Sequence, residues 1–352
     1  MSTPAARPLV CGYYGEHNLG DDALLTVLLE QLPAGVKPLV TARDRQQVNA
    51  CFAVETVERQ RLAAVLAALG RCDALVLGGG SLLQDSTSFR SLLYYGVLIL
   101  AARSRGLPVL LWAQGLGPLR RRRSRLFVRA LMPLVSASSW RDPTSAALAR
   151  SLGGAGAVGS DPVWAFPPVN WQGPGGAIVL CWRPVADLGI DGWRPYLEAL
   201  AALAEQSDRE VLWLPFHRDQ DTALPDWLKE RGLLPPALLP RSRRLGPADP
   251  AAALAVFQRA GLVLAMRLHG LILAAVAGAP CWALSYDPKV SAAAAAIGCG
   301  CQDLEAAASA NLTALWSASL DQPPSAERIG TQRRATAVHR HLLHSWLAQA
   351  GS

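Results

Sequence analysis

Short apolar runs that end in glycine-rich or cationic turns, each followed by a helix-like segment, recur along almost the whole 352-residue chain. This alternation is the signature of βαβ units, whose strands are buried on both faces and therefore read as unbroken hydrophobic stretches. It predicts strands near residues 9–13, 74–77, 109–113 and 136–140, a Pro/Gly-rich break at 167–176, and a restart at 177–182, 210–215, 262–266 and 281–285. Hydrophobic residues make up 51% and charged residues 17% of the chain. The charged share is below the roughly 25% of ordinary soluble domains, which suits sheets covered by helices on both faces. The length also exceeds what one core organises. The expected fold is therefore α/β, with two doubly wound Rossmann-like domains facing each other across a cleft. The N-terminal domain is expected over 1–166, the C-terminal domain over 177–326, and a helical segment over 327–352 packing back on the body. A faint internal echo links Ala74-Leu-Val-Leu-Gly-Gly-Gly with Gly261-Leu-Val-Leu-Ala-Met-Arg, each a strand running into a special turn.

Charge and cysteine usage narrow the function classes. Basic residues outnumber acidic ones 34 to 27, and only Lys37, Lys229 and Lys289 are lysines, so nearly every cation is a planar guanidinium suited to bidentate anion contacts. Residues 86–141 contain ten Arg and no Asp, Glu or Lys, including Arg120, Arg121, Arg122, Arg123 and Arg125 beside Leu126 and Phe127. A solvated face is the plain account of that run, and contact with an anionic membrane surface or a pyrophosphate-bearing substrate is the functional one. The Arg run lacks interleaved aromatics and no recognition motif appears, so no nucleic-acid partner is expected. Seven cysteines with no C-x-x-C pair are expected to be reduced thiols, with no metal site. No signal-like apolar segment opens the chain, and the longest apolar stretch, 270–286, is broken by Gly278 and Pro280 and is too short to span a bilayer. The expected location is the cytoplasm, with a peripheral contact at the inner face of the membrane through residues 120–125 as the alternative to full solution.

Ligands of open α/β sheets bind beyond the carboxyl ends of strands, so the residues that follow each predicted strand are the candidates. The first turn reads Gly12-Tyr-Tyr-Gly-Glu-His-Asn-Leu-Gly-Asp-Asp. Gly15 and Gly20 allow close backbone approach there, whereas Asp21 and Asp22 at the helix start disfavour a phosphate and suit sugar hydroxyls. Helix capping is the bland alternative for both carboxylates. Gly78-Gly79-Gly80-Ser81 and the Gln84-Asp85 that follows form a second, less specific turn, and Gln114 between glycines a third. Arg141 precedes an Asp142-Pro143 helix start, where it serves an anion or merely pairs with Asp142. The second half supplies more cations: Arg183, His217 with Asp219 and Asp221 behind it, Arg267 and His269 in Met266-Arg-Leu-His, and Lys289 in Tyr286-Asp-Pro-Lys. Arg, His and Lys at adjacent strand ends would hold a small, multiply charged phosphate or carboxylate. No G-x-S-x-G elbow supports serine hydrolysis.

Taken in order, Tyr13-Tyr-Gly-Glu-His-Asn-Leu-Gly-Asp-Asp, Gly78-Gly-Gly-Ser-Leu-Leu-Gln-Asp, Gln114-Gly-Leu-Gly-Pro, Arg141-Asp-Pro, Met266-Arg-Leu-His and Ser285-Tyr-Asp-Pro-Lys-Val closely resemble the polysaccharide pyruvyl transferases, notably the branch acting on S-layer-anchoring cell-wall polymers. The resemblance implies a glycosyltransferase-B-like fold. It also implies transfer of pyruvate from phosphoenolpyruvate onto a saccharide as a ketal, with phosphate released and no metal or organic cofactor. By motif, it places Arg141, Arg267 and His269 at the phosphoenolpyruvate and the loop from Asn18 to Asp21 at the acceptor, free or linked to a lipid diphosphate. His269 is the implied acid/base group and Asp21 the group that orients or deprotonates the acceptor. Arg183, His217, Lys289, Gly20, Gly79, Gly80, Gln84 and Gln114 complete the expected binding set. The chain departs from the family at Glu16-His17, where a smaller or apolar residue is common, and at Ser81, where a fourth glycine is frequent. Two rivals share the architecture: a nucleotide-sugar glycosyltransferase and a non-catalytic sugar-phosphate binding protein.

Overall fold

The computed structural model describes residues 6–86 and 88–350. They fall into two units, the first comprising residues up to 16 together with 21–165 and the stretch from 332, the second residues 17–20 and 166–331. In the first unit, seven strands run β1 (Pro8–Tyr14), β2 (Leu39–Ala42), β3 (Glu55–Glu58), β4 (Ala74–Leu77), β5 (Val109–Gln114), β6 (Ala137–Trp140) and β7 (Ala157–Val158). They lie side by side in the order β3-β2-β1-β4-β5-β6-β7. Every pairing is parallel. The second unit has β8 (Ile178–Cys181), β9 (Val211–Trp213), β10 (Ser242–Arg244), β11 (Leu262–Ala265), β12 (Cys281–Ser285) and β13 (Gly300–Asp303). Its order is β10-β9-β8-β11-β12-β13, again all parallel. Each sheet therefore reverses its winding between its first and fourth strands, β1/β4 in one and β8/β11 in the other. The echo noticed in the sequence joins β4 and β11, the equivalent fourth strands.

The central strands follow from their composition. Every residue of β4, β5, β8 and β11 is buried. The edge strands β3, β10 and β13 carry Glu, Arg and Asp and stay partly exposed, which discourages edge-to-edge pairing. Helix starts are punctuated as the Asp-Pro pairs predict. The carboxylates of Asp142 and Asp249 accept the N–H groups of Ser145 and Ala252 at 2.6 and 2.8 Å, and Asp287 before Pro288 does the same for Lys289 at 2.9 Å. Gly278, at φ +69°, terminates the helix Leu268–Val276. The single helix expected near the C-terminus is instead two, Ala326–Ala335 and Ala337–Ala350. The break falls at Thr336, whose hydroxyl donates to the Arg333 carbonyl at 2.7 Å and competes with the helical ladder.

The last helix supplies a buried imidazole to the first unit. His339 is fully enclosed, and its Nε2 donates to the Ser160 carbonyl at 2.9 Å. The Ser139 hydroxyl donates to its Nδ1 at 2.9 Å and itself accepts the Ala113 N–H at 2.9 Å. Both ring nitrogens are thus satisfied in the neutral form. Burial pulls the His339 pKa below the ordinary histidine value, outweighing the opposing effects of the Ser160 bond and the Asp161 charge. An unfolded histidine titrates near about 6.5, so as pH falls through that value the unfolded chain takes up a proton that the folded one refuses. Stability is therefore expected to decline below about pH 6.5. Urea midpoints at pH 7 and pH 5 test this, with His339→Gln expected to flatten part of the difference; an unchanged slope in that variant would remove His339 as its source.

Candidate active site

In the first unit, the switch point between β1 and β4 holds the expected glycine turn. Gly80 adopts φ +104°, and a side chain built there would approach the Asp21 carboxylate to 3.8 Å, so Asp21 lies beside the end of β4. Asp22 is buried in the first turn of the helix Leu19–Glu30 and accepts from the Gln47 amide at 3.3 Å. Gly79 packs against Leu24, where a Cβ would come within 2.8 Å of a methyl group, so this glycine is required by the core as well as by any ligand. Gln114 spends its amide N–H groups on the carbonyls of Leu77 (3.2 Å) and Gly78, tying two strand ends together. Gln84 accepts from the N–H and hydroxyl of Ser86 at 2.6 Å each and shapes its own loop. Asp85, the last residue of that motif, accepts the N–H groups of Arg120 and Arg121 at 2.8 and 2.9 Å. Burial would raise the Asp85 pKa, but these and further hydrogen bonds hold it below the usual carboxylate value.

Arg141 is buried, 7% exposed, and its closest partners are not its chain neighbour Asp142. One guanidinium nitrogen donates to Asp161 and another to the Ser81 hydroxyl, both at 3.0 Å, whereas Asp142 stands at 3.9 Å and serves its helix cap. Ser81, the departure from the family's usual glycine, is thus an Arg141 partner. The other departure, Glu16, accepts from Arg43 at 2.7 Å and from Arg59.

The second unit gathers its cations at one sheet edge. β9, β8, β11 and β12 are consecutive, and from their carboxyl ends emerge His217, Arg183, Arg267 with His269, and Tyr286 with Lys289. Arg183 donates to the Tyr286 hydroxyl at 3.0 Å. Arg267 donates through Nε to Asp221 at 3.1 Å, through Nη2 to the same carboxylate, and to Gln220 at 3.0 Å. Asp221, whose side chain is wholly buried, also accepts the N–H groups of Phe216 and His217 at 3.1 and 2.8 Å. A single carboxylate thereby fixes both the Arg267 fork and the backbone that presents His217.

Residues 17–20 join this edge. Asn18 bridges His217 in antiparallel fashion, the Leu19 N–H donates to the Phe216 carbonyl at 2.9 Å, and the Arg218 N–H donates to the His17 carbonyl at 3.0 Å. The Asn18 side chain caps the following helix through the Gly20 N–H at 3.0 Å, so neither Asp21 nor Asp22 supplies the cap. Gly20 is pressed against an imidazole: a Cβ there would stand 2.2 Å from His269 Nδ1. Asn18, Gly20, His217 and His269 are therefore neighbours. His217 is 6% exposed, and neither of its ring nitrogens has a hydrogen-bond partner among the described residues. Burial, then the Arg267 charge, depress its pKa and keep it neutral at pH 7, with one donor and one acceptor unused. A buried polar group left unmatched is costly, and a ligand is one way to match it.

Lys289 lies in the first turn of the helix Pro288–Ile297, where its N–H takes the Asp287 cap. Two carboxylate partners carry no motif of their own, Asp161 for Arg141 and Asp221 for Arg267. Asp221 follows His217 by four residues, a spacing that signals a short helical turn, whereas nothing local announces Asp161. Among the described residues, no three His, Cys, Asp or Glu side chains gather as a metal-binding group, and no helix is long and apolar enough to cross a membrane.

The two-unit architecture is shared with known structures. The chain is similar in structure to UDP-GlcNAc 2-epimerase from Methanocaldococcus jannaschii, with a TM-score of 0.62 at 12% identity, covering 96% of this chain and 99% of the other. It is also similar to the Neisseria meningitidis UDP-GlcNAc 2-epimerase bound to UDP-GlcNAc, with a TM-score of 0.59 at 12% identity and coverage of 96% and 99%. Anabaena Alr3699/HepE in complex with UDP and glucose gives a TM-score of 0.59 at 12% identity, covering 98% of each chain. At such identity these likenesses establish the fold, two parallel-sheet α/β domains of the glycosyltransferase-B-like kind. No protein of curated function is similar in sequence. The sequence model for polysaccharide pyruvyl transferases matches residues 18–288, which include Asn18, Gly20, Arg141, His217, Arg267 and His269, and the chain therefore belongs to the polysaccharide pyruvyl transferase family.

Proposed function

We propose that the protein transfers pyruvate from phosphoenolpyruvate to two hydroxyls of one sugar in a cell-surface polysaccharide or its precursor. The observation that carries this proposal is the second-unit edge: a fixed Arg267 fork, a buried His217 with both nitrogens unused, and His269 held against the Gly20 backbone. Such a set suits a compact ligand with both phosphate and carboxylate charge. Protonation of phosphoenolpyruvate at C3 makes C2 cationic, and the first sugar hydroxyl adds there. The C2–O bond to phosphate then breaks, and the second hydroxyl closes the ketal. Of the two hydroxyl protons lost, one balances the proton gained at C3 and the other leaves with phosphate. His269 is assigned the proton transfer at C3 because it presents an imidazole, a group able to relay a proton, against the Gly20 backbone at this edge. Arg267 and Arg183 offset the charge of the carboxylate and departing phosphate, and His217 hydrogen-bonds the anion in its neutral form. In the first unit, Arg141 and Asp21 are assigned to anion and acceptor hydroxyls respectively.

The test is incubation of the pure protein with phosphoenolpyruvate and a panel of free and lipid-linked saccharides. Inorganic phosphate and a pyruvate-sized mass gain on the sugar are expected. Nucleoside diphosphate released from a sugar nucleotide would replace this proposal with glycosyl transfer, and ligand binding without turnover would leave a binding protein. Arg267→Lys is expected to raise the KM for phosphoenolpyruvate and lower kcat, because a point charge cannot reproduce a fork. Unchanged constants would count against the Arg267 assignment.

A further inference from the structure

The helix Phe89–Ser104 is apolar on both faces, a pattern that ordinarily means burial on both. One face is covered: Leu92, Tyr95, Gly96, Leu98, Ile99 and Ala102 are buried. The other carries Leu93, Val97 and Leu100 at 38%, 36% and 48% exposure, spaced as one helical stripe. Alongside runs the helix Arg122–Leu131, fitted closely enough that a Cβ on Gly96 would stand 2.3 Å from the Phe127 ring. It exposes Leu126 at 58%, and its Arg123 guanidinium lies 4.3 Å from the centre of the Phe89 ring.

The exposed charge carried by these two helices and the chain between them is of one sign. Of the ten Arg in residues 86–141, Arg141 is buried, and the other nine, Arg90, Arg103, Arg105 and six within residues 120–129, are exposed, with no acidic residue between them in the sequence. Arg103 and Arg105 reach back to the carbonyls of Leu107 and Ala101 at their own helix end, and Arg90 stands at the opposite end. An apolar stripe flanked by arginines matches a surface whose interior is hydrocarbon and whose headgroups are anionic. A second protein copy would bring an equally cationic rim against this one.

We infer that the paired helices Phe89–Ser104 and Arg122–Leu131 form a docking face for an anionic lipid bilayer, with Leu93, Val97, Leu100 and Leu126 entering the headgroup boundary. This face is independent of the transfer chemistry, so its failure would leave the reaction untouched. The experiment is co-sedimentation of the full chain with phosphatidylglycerol-containing vesicles and with pure phosphatidylcholine vesicles. Partitioning is expected to favour the anionic vesicles and to weaken with added salt. Arg122→Gln and Arg125→Gln should each lower it roughly fivefold. Leu93→Ser, Val97→Ser and Leu100→Ser should each lower it by up to roughly tenfold, with circular dichroism at the assay temperature confirming that each variant is folded. Equal binding to both vesicle types, or binding indifferent to these substitutions, would overturn the inference. So would a dimer in solution that the Leu93 and Leu100 variants dissociate while the wild-type chain ignores vesicles.

Discussion

Replacing His269 with Ala is expected to lower turnover by roughly 10²–10⁴-fold, the range for loss of a proton-transfer group, while leaving the melting temperature close to that of the wild type. The imidazole lies at the edge of the second unit's sheet, against Gly20 rather than in the hydrophobic core. A second substitution separates proton transfer from simple occupancy. Gly20→Ala would place a methyl 2.2 Å from the His269 Nδ1 position and force the ring aside with every catalytic side chain retained. It is predicted to lower kcat more than it raises the KM for phosphoenolpyruvate. Steady-state phosphate release by both variants, with circular dichroism to confirm folding, checks the assignment. Near-wild-type kinetics in a folded His269→Ala chain would take the proton-transfer role away from this residue.

Asp221→Ala should have the largest effect on stability. It removes the partner of Arg267 together with the acceptor of two backbone N–H groups, in a place where the Asp221 side chain is 0% and the Arg267 side chain 13% exposed. Breaking a buried ion pair from one side costs about 3–5 kcal/mol because the remaining charge is stranded. For a unit of this size that corresponds to a fall on the order of 10 °C in Tm. Asp221→Asn, which keeps one acceptor oxygen, is expected to lose less. Adding Arg267→Met to the Asp221→Ala chain should recover part of the stability, since no charge is then stranded, without restoring activity. Calorimetric melting of the three chains decides the matter. An Asp221→Ala protein that melts with the wild type would mean that the pair contributes little to holding this edge.

The parts of the molecule that the sequence reveals are those fixed by local physics. β4, β5, β8, β11 and β12 are visible because both faces of each are buried, which leaves an apolar run, and β1 because all of its residues but Tyr13 are. β10, Ser-Arg-Arg, and β13, Gly-Cys-Gln-Asp, escape notice because only hydrogen bonding to β9 and β12 makes them strands. The same divide runs through the candidate site. Arg183, Arg267 and His269 stand out because they directly follow hydrophobic strands, and an Asp-Pro start can be recognised from two letters. That Arg141 turns to Asp161 and Ser81 rather than to its neighbour Asp142 depends on residues 20 and 60 positions away, beyond the reach of any short window. The sequence marks Asn18 and Gly20 as loop residues, but their approach to His217 and His269 bridges some 200 to 250 residues and is a property of the tertiary fold.

The helix that delivers His339 to Ser139, Ser160 and Trp112 follows them by some 180 to 230 residues, although it belongs to the same unit. On the ribosome, β5 and β6 would emerge and wait, their hydrophobic flank bare, until the helix Ala337–Ala350 has been made. The nascent first unit is thus exposed to chaperones and proteases for the whole time the second is being made. Termination before residue 337, or substitutions that break the helix Ala337–Ala350, should therefore harm the first unit most.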